Sequence, residues 1–318
     1  MELRNLKVFV EVVRQGGFTE AARVLFSTQS TVSKAVRALE DELGIPLLHR
    51  ASRSVGPTVA GDIVLRHSRK MLGLREDMLT EIAELKGVQR GTLRLGLPRV
   101  GSDALFAPIF ARFCASHPGV EIELREAGSA RLRDLLHSGE LDLAGLLLPV
   151  PDEFATQELA REPLVALLPD SHALARRGEV SLSDLADLPL VLFDTGFVLH
   201  AMITQAFRAQ HLQLKVAART SQIGFMLELV AAGVGVAFLP RMIARLHARA
   251  GVAMLPLTSQ GLEWRMALAW RRESYLPHAA RAWLQAATQE VGGDVPSKVL
   301  GPVEGHFATL PPAQRQSQ

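Results

Sequence analysis

Residues 18–43 read FTEAARVLFSTQSTVSKAVRALEDEL, and their spacing decides the N-terminal fold. Val32, Val36, Leu39 and Leu43 recur at i, i+4, i+7 and i+11, the stripe of a helix with one buried face. The opposite face presents Ser30, Ser33, Lys34 and Arg37, with Gln29 and Thr31 near the helix start. Thr28 can accept a bond from a first-turn N–H group, which predicts a helix from there to about Leu43. Upstream, Ala21, Ala22 and Leu25 predict a shorter helix with Thr19 as its N-cap, and Phe26-Ser27 is the turn between the two. Leu3, Leu6, Phe9, Val10 and Val13 predict a first helix that ends at Gly16-Gly17, since glycine tolerates the left-handed conformation past a helix end. Two short helices, a tight turn and a third helix with a polar, basic outer face describe a helix-turn-helix. The third helix of such a unit can enter a major groove with its N-terminal residues on base edges. Periodicity alone equally fits a three-helix structural unit with solvated charges.

Beyond Gly44-Ile45-Pro46, the segment Leu47 to Pro57 reads as a β-wing, with Arg50 and Arg53 placed to reach a phosphate backbone or minor groove. The formal charge of the whole chain is only +2, so basicity is judged by segment. In the first 70 residues eleven Lys and Arg stand against seven Asp and Glu, a mild excess that favours phosphate contact.

The runs Phe18-Thr19-Glu20-Ala21-Ala22-Arg23-Val24-Leu25, Thr28-Gln29-Ser30-Thr31-Val32-Ser33 and Leu39-Glu40-Asp41-Glu42-Leu43-Gly44 together closely resemble LysR-type transcriptional regulators. Leu47-Leu48-His49-Arg50 and Pro57-Thr58-Val59-Ala60-Gly61 resemble the wing and linker-helix start of the same family. Two departures stand out: Thr31 replaces the family's usual Ala or Pro, and Leu48 its usual Phe. The resemblance implies an all-α winged helix-turn-helix domain over residues 1–60, with Gln29, Ser30, Thr31, Ser33, Lys34, Arg37, Arg50 and Arg53 as its DNA-binding residues. It implies a sequence-specific regulator of double-stranded operator DNA, controlled by a small-molecule effector, and a regulator of this kind is expected to contact RNA polymerase.

Residues 61–90 continue as one long helix. Val64, Met71, Met78 and Leu85 are spaced by sevens, as are Leu65, Leu72 and Leu79, a repeat that pairs a helix with another helix. Val64, Met71 and Met78 are therefore the expected dimer seam, and the resemblance implies a homodimer or homotetramer. A single helix packed on its own domain is the competing reading.

Residues 91–290 alternate strand and helix patterns and predict a mostly parallel sheet covered by helices. The order resembles the two-lobed, periplasmic-binding-protein-like effector domain of the family, one lobe formed by residues 91–162 with 265–290 and the other by 163–264. Ligands of open α/β sheets bind beyond strand ends beside helix N-termini, where free N–H groups favour an anion. Ser102 and Ser129 occupy two such ends in the first lobe, and Gly196, Phe197, Ser221 and Gln222 occupy the matching places in the second. A small organic anion is the expected effector. Each serine taken singly reads equally well as a plain N-cap.

Residues 291–318, rich in Gly, Pro and Gln, read as a disordered tail. Cys114 is the only cysteine and, beside the apolar run Leu105 to Phe113, is expected to be a buried thiol. No catalytic constellation, cofactor loop or metal-ligand spacing is present: there is no G-x-S-x-G elbow, and Gly233-Val234-Gly235-Val236 lacks the third glycine of a dinucleotide fingerprint. Glu121 and Glu123 share a strand face that a solvated edge explains better than acid/base chemistry. An enzyme would have to centre on Ser102, and a free-standing solute-binding protein would carry a signal peptide, which Met-Glu-Leu-Arg-Asn-Leu does not begin. The expected location is the cytoplasm, away from any membrane.

Overall fold

The N-terminal helices form where their apolar stripes fall, and each is closed by a specific cap. The computed structural model describes residues 1–49, 55–85, 91–258 and 261–291. Helices α1 (Leu3–Gln15), α2 (Phe18–Val24) and α3 (Gln29–Leu43) are followed by β1 (Leu48–His49) and β2 (Gly56–Pro57), which pair antiparallel as the wing hairpin. The Thr28 hydroxyl accepts the Thr31 N–H at 3.2 Å and so starts α3. The N-cap of α2 is Gly17 and not Thr19, which lies inside the first turn. Phe9, Val12, Val32, Val36, Leu39 and Leu47 are buried in one core, and the expected stripe of α3 stops at Leu39, since Leu43 is 41% exposed. Helix α4 (Val59–Leu85) continues for 27 residues, about 40 Å at the standard rise.

The remainder is a two-lobed α/β unit. Its elements are β3 (Thr92–Pro98), α5 (Ser102–Ser116), β4 (Glu121–Ala127), α6 (Ser129–His137), β5 (Leu143–Leu147), β6 (Phe154–Pro169), α7 (Leu182–Leu185), β7 (Leu190–Phe193), α8 (Val198–Ala209), β8 (Val216–Thr220), α9 (Ile223–Ala231), β9 (Ala237–Pro240), α10 (Arg241–Leu246), β10 (Val252–Pro256), β11 (Glu263–Arg271) and α11 (His278–Val291). The first lobe carries strand order β6-β11-β5-β3-β4, with β4 and its Glu121 and Glu123 at the exposed edge. The sheets are mixed and not mostly parallel. Strand β3 runs parallel to β4 and β5, and β7 to β8, while β11 and β6 pair antiparallel to each other and to their other neighbours. The reason is connectivity: the chain leaves the first lobe along β6 and returns along β11, so the two crossing strands oppose one another.

Strand β6 spans sixteen residues and serves both lobes. Its first part pairs with β11 in the first lobe, and its end, from Leu164, pairs with β9 and β10 in the second. In the first lobe, α5 and α11 meet through aromatic rings, with Trp283 lying 5.1 Å from Phe113 and 4.7 Å from Phe110, edge to face. Phe106, Ile109 and Phe113 fill the inward face of α5, which turns Cys114 outward, so the thiol expected to be buried is exposed.

Helix α4 lies against both units. Val64, Leu65 and Met71 pack partly on the N-terminal core. Just beyond them, Gly73 meets the loop between α6 and β5. A Cβ on Gly73 would sit 2.8 Å from the Ser138 carbonyl oxygen, and one on Gly139 would lie 3.0 Å from the Gly73 Cα. Only glycine permits this backbone-to-backbone approach.

Phe26, in the turn between α2 and α3, has a left-handed φ of 49° and a side chain 98% exposed. An L side chain there costs about 1–2 kcal/mol. Phe26→Gly should therefore stabilise the full chain by roughly 0.5–1 kcal/mol after the larger unfolded-state entropy of glycine is subtracted. Urea unfolding measures it, and a loss of stability would show that the ring is covered in the assembled protein.

Candidate functional site

The first candidate surface is the outer face of α3. Gln29, Ser30, Thr31, Lys34 and Arg37 are exposed and Ser33 is half-buried, so the six residues expected to face DNA share one accessible side. They are not equally free. The Thr28 hydroxyl lies 3.0 Å from the Ser30 hydroxyl and 2.8 Å from that of Thr31, which ties both to the N-cap. Lys34 and Arg37 form no ion pair among the described residues, leaving both charges available to an acidic partner. Arg50 and Arg53, expected in the wing, lie outside the described residues.

The second is the far end of α4. Val64 and Met71, expected in a dimer seam, are half-buried against the chain's own N-terminal core. Met78 is 52% exposed and shares an exposed apolar stripe with Leu74 and Ile82, spaced i, i+4, i+8. The seven-residue repeat thus divides its work between two faces of one helix.

The third is a cavity of about 350 Å³ between the lobes. The turn after β3 gives Arg99 and Val100, the start of α6 gives Gly128, Ser129 and Arg131, and β5 gives Leu147. Across from them stand Gly196, Phe197, Val198 and Leu199 at the start of α8, while Trp264 and Met266 come from β11. Of the six residues expected to bind an effector, the structure brings together Ser129, Gly196 and Phe197. Ser102 donates its hydroxyl back to the Pro98 carbonyl, and Ser221 and Gln222 are exposed outside the cavity lining. Neither Ser102 nor Ser129 is an N-cap; Gly101 and Gly128 hold those positions. Phe193 stacks on Phe197 at 5.1 Å and supports it from below. Outside the cavity lining, His247 Nε2, just past α10 of one lobe, lies 2.8 Å from Asp103 Oδ2 on α5 of the other.

Sequence reasoning missed Arg99, Arg131, Trp264 and Met266. Arg99 directly follows the end of β3, so the strand-end rule applied to basic residues as well as serines would have found it.

A buried charge cluster fixes α4 to the first lobe. Asp77 accepts a bond from Arg271 Nη2 at 2.8 Å, and Arg94 Nη2 is 3.9 Å away. Arg94 in turn grips Asp142 through its side chain and its backbone N–H, the latter at 2.8 Å, and donates to the Gly139 carbonyl at 2.8 Å. Burial pushes the Asp77 carboxyl above its ordinary 3.8, against the opposing pull of Arg271 and Arg94. For Arg94, burial works downward and the bond and charge of Asp142 outweigh it, so its guanidinium is held firmly charged.

Among the described residues, no cluster of His, Cys, Asp or Glu could hold a metal ion, and no helix is long and apolar enough to cross a membrane. Comparison with known proteins matches residues 3–62 to the bacterial regulatory helix-turn-helix proteins of the lysR family and residues 86–292 to the LysR substrate binding domain. The uncharacterised HTH-type transcriptional regulator YwbI of Bacillus subtilis is 32% identical over 286 residues, covering 90% of this chain and 95% of YwbI. The probable regulator LrrA of Synechococcus elongatus is 33% identical over 245 residues, covering 77% of this chain and 82% of LrrA. A full-length OxyR variant from Pseudomonas aeruginosa superposes with a TM-score of 0.73 at 25% identity, covering 90% of this chain and 94% of that one. YwbI and LrrA both bear the name of an HTH-type transcriptional regulator.

Removing Asp77 leaves Arg271 without its partner at a site where the two side chains keep only 6% and 15% of their surface. Asp77→Ala should cost about 3 kcal/mol, the low end for breaking a buried pair because Arg271 retains some access to water. The double replacement Asp77→Leu with Arg271→Met should recover most of that loss. Denaturant melts of the three variants decide it, and additive losses would show that the two residues are not coupled.

Proposed function

Since the chain belongs to the LysR family of helix-turn-helix transcriptional regulators, we propose that it reads operator DNA through α3 and is switched by a small organic anion held between its lobes. It binds DNA as the family does, and the substrate-binding domain of the family takes small-molecule effectors. The observation that carries the rest is the pairing of an exposed, unengaged basic face on α3 with a separate cavity between the two lobes. Gln29, Ser33, Lys34 and Arg37 read base edges or phosphates, Ser30 and Thr31 shape the helix start, and Arg50 and Arg53 of the wing hold the backbone. Ser129, Gly196 and Phe197 belong to the effector site, and Ser102, Ser221 and Gln222 act around it. The active form is a homodimer or homotetramer joined through the far half of α4. Met78, with Leu74 and Ile82, forms the seam there, and Val64 and Met71 brace it from the inner face. The regulator works in the cytoplasm alongside RNA polymerase.

An effector shifts this system only by binding one arrangement of the lobes better than the other. A coupling of about 1–3 kcal/mol changes operator affinity by roughly 5–150-fold.

Lys34→Ala or Arg37→Ala should weaken binding to the chain's own upstream intergenic DNA by about 1–3 kcal/mol with the melting temperature unchanged, because neither side chain is buried. Mobility shifts on specific and unrelated DNA read the effect, and unchanged binding by both variants sinks the assignment of α3. Met78→Glu should lower the oligomer mass in sedimentation and abolish binding to a two-half-site operator, since one module alone makes too few contacts. An unaltered mass places the seam elsewhere.

A further inference from the structure

The cavity between the lobes is asymmetric in polarity, and this says what it holds. Both of its charged residues, Arg99 and Arg131, come from the first lobe. Neither forms an ion pair among the described residues, and no Asp or Glu belongs to the lining. Two unneutralised guanidinium groups at the mouth of an apolar cavity favour an anion and oppose a cation. Helix α6 points the same way. No side chain caps it and its first turn holds no acidic residue, so its leading N–H groups are free to meet a negative oxygen.

The rest of the lining has little to offer a polar ligand. Val100, Leu147, Trp264 and Met266 form the floor, and Phe197 and Leu199 of the second lobe form the cover. Among the described lining residues Ser129 brings the only hydroxyl, too few side-chain partners for a sugar or polyol, whose buried hydroxyls each need a bond. With no carboxylate among the described lining residues, an α-ammonium group would find no counter-charge there and would meet two guanidinium groups instead. The volume of about 350 Å³ holds about a dozen non-hydrogen atoms, taking roughly 30 Å³ for each as for a water molecule.

We propose that the effector is a carboxylic acid with a compact apolar body and no amino group. Its carboxylate sits on Arg99, Arg131 and the start of α6 in the first lobe, and its apolar body lies under Phe197 of the second. This deepens the effector-site reading above and rests on it. The head then sets affinity through the first lobe, and burial of the body draws the second lobe closed.

Calorimetric titration of the full chain with 3-phenylpropanoate tests the class, set against 3-phenylpropanamide, phenylalanine and succinate. The acid should bind at millimolar concentration or better. The amide lacks the charge, phenylalanine adds the ammonium and succinate lacks the apolar body, and each should bind at least about tenfold more weakly. Arg131→Gln should weaken the acid about tenfold and leave the amide unchanged, whereas Phe197→Ala should weaken both alike. Circular dichroism and DNA mobility shift confirm that each variant is folded and still binds DNA. No binding of the acid, or equal binding of the amide, phenylalanine or succinate, overturns the proposed class. Loss of the tighter-binding comparison ligand in both variants would then preserve the cavity as the effector site with the wrong chemistry assigned. Binding of the acid that neither variant changes overturns the cavity itself.

Discussion

Asp77 is the point on which the arrangement of this chain turns. It lies on the helix that leads from the DNA-binding unit, and its carboxylate is held by Arg271 at 2.8 Å from the final strand of the effector domain. A carboxylate this deeply buried is costly unless it is fully paired. The same cost makes the contact directional: α4 can sit in one register along the first lobe, where Asp77 finds Arg271 and Arg94 and Gly73 finds Gly139. A slide by one residue would leave the Asp77 carboxylate and the Arg271 guanidinium unpaired and drive a side chain into the Ser138 carbonyl. The first lobe and α4 therefore form one mechanical piece, and the second lobe is the part left to respond.

That division matches how the lobes are joined. Only β6 and β11 carry the chain between them, and they pair with each other in antiparallel register. Glu158 on β6 bonds Arg265 on β11, with oxygen–nitrogen distances of 3.0 and 2.6 Å. The bond to Arg265, with further help from Arg161, holds the Glu158 carboxyl below the usual range. The crossing is thus stiffened on the first-lobe side. The cavity opens where these strands pass between lobes, with Trp264 and Met266 of β11 forming part of its wall.

The N-terminal unit was legible because local rules govern it. A threonine cap, a glycine stop and a four-residue apolar period specify α3 without reference to anything distant. The misplaced cap of α2 follows from reading Thr19 by residue type, when an extended Gly17 could begin the helix just as well. The effector domain was legible in its element order but less so in its pairing. Parallel neighbours such as β3 and β5 follow from strand-helix alternation, whereas antiparallel β6 and β11 are separated by the whole second lobe. Serines at strand ends marked the right region but not the right side chains, because a short hydroxyl is easily satisfied by its own strand, as Ser102 is by Pro98. Arg99 and Arg131 were hidden among many surface arginines. The Asp77 cluster was invisible in principle, since its four members lie at positions 77, 94, 142 and 271 and no periodicity links them. Cys114 shows the opposite failure, where an apolar neighbourhood in sequence is not one in space.

The second lobe is an insertion, carried between the two crossing strands of the first. On the ribosome this order matters. The second lobe emerges whole, with β7 to β10 and their helices, before β11 exists. The first lobe must wait for β11, the strand between β6 and β5, and for Trp264 and Trp283, two of the largest buried side chains, which are made last. Domains fold as units as they emerge. A nascent chain stalled before β11 would therefore hold a finished second lobe, an open first lobe with β5 unpaired on one side, and an α4 helix whose Asp77 has yet to meet Arg271.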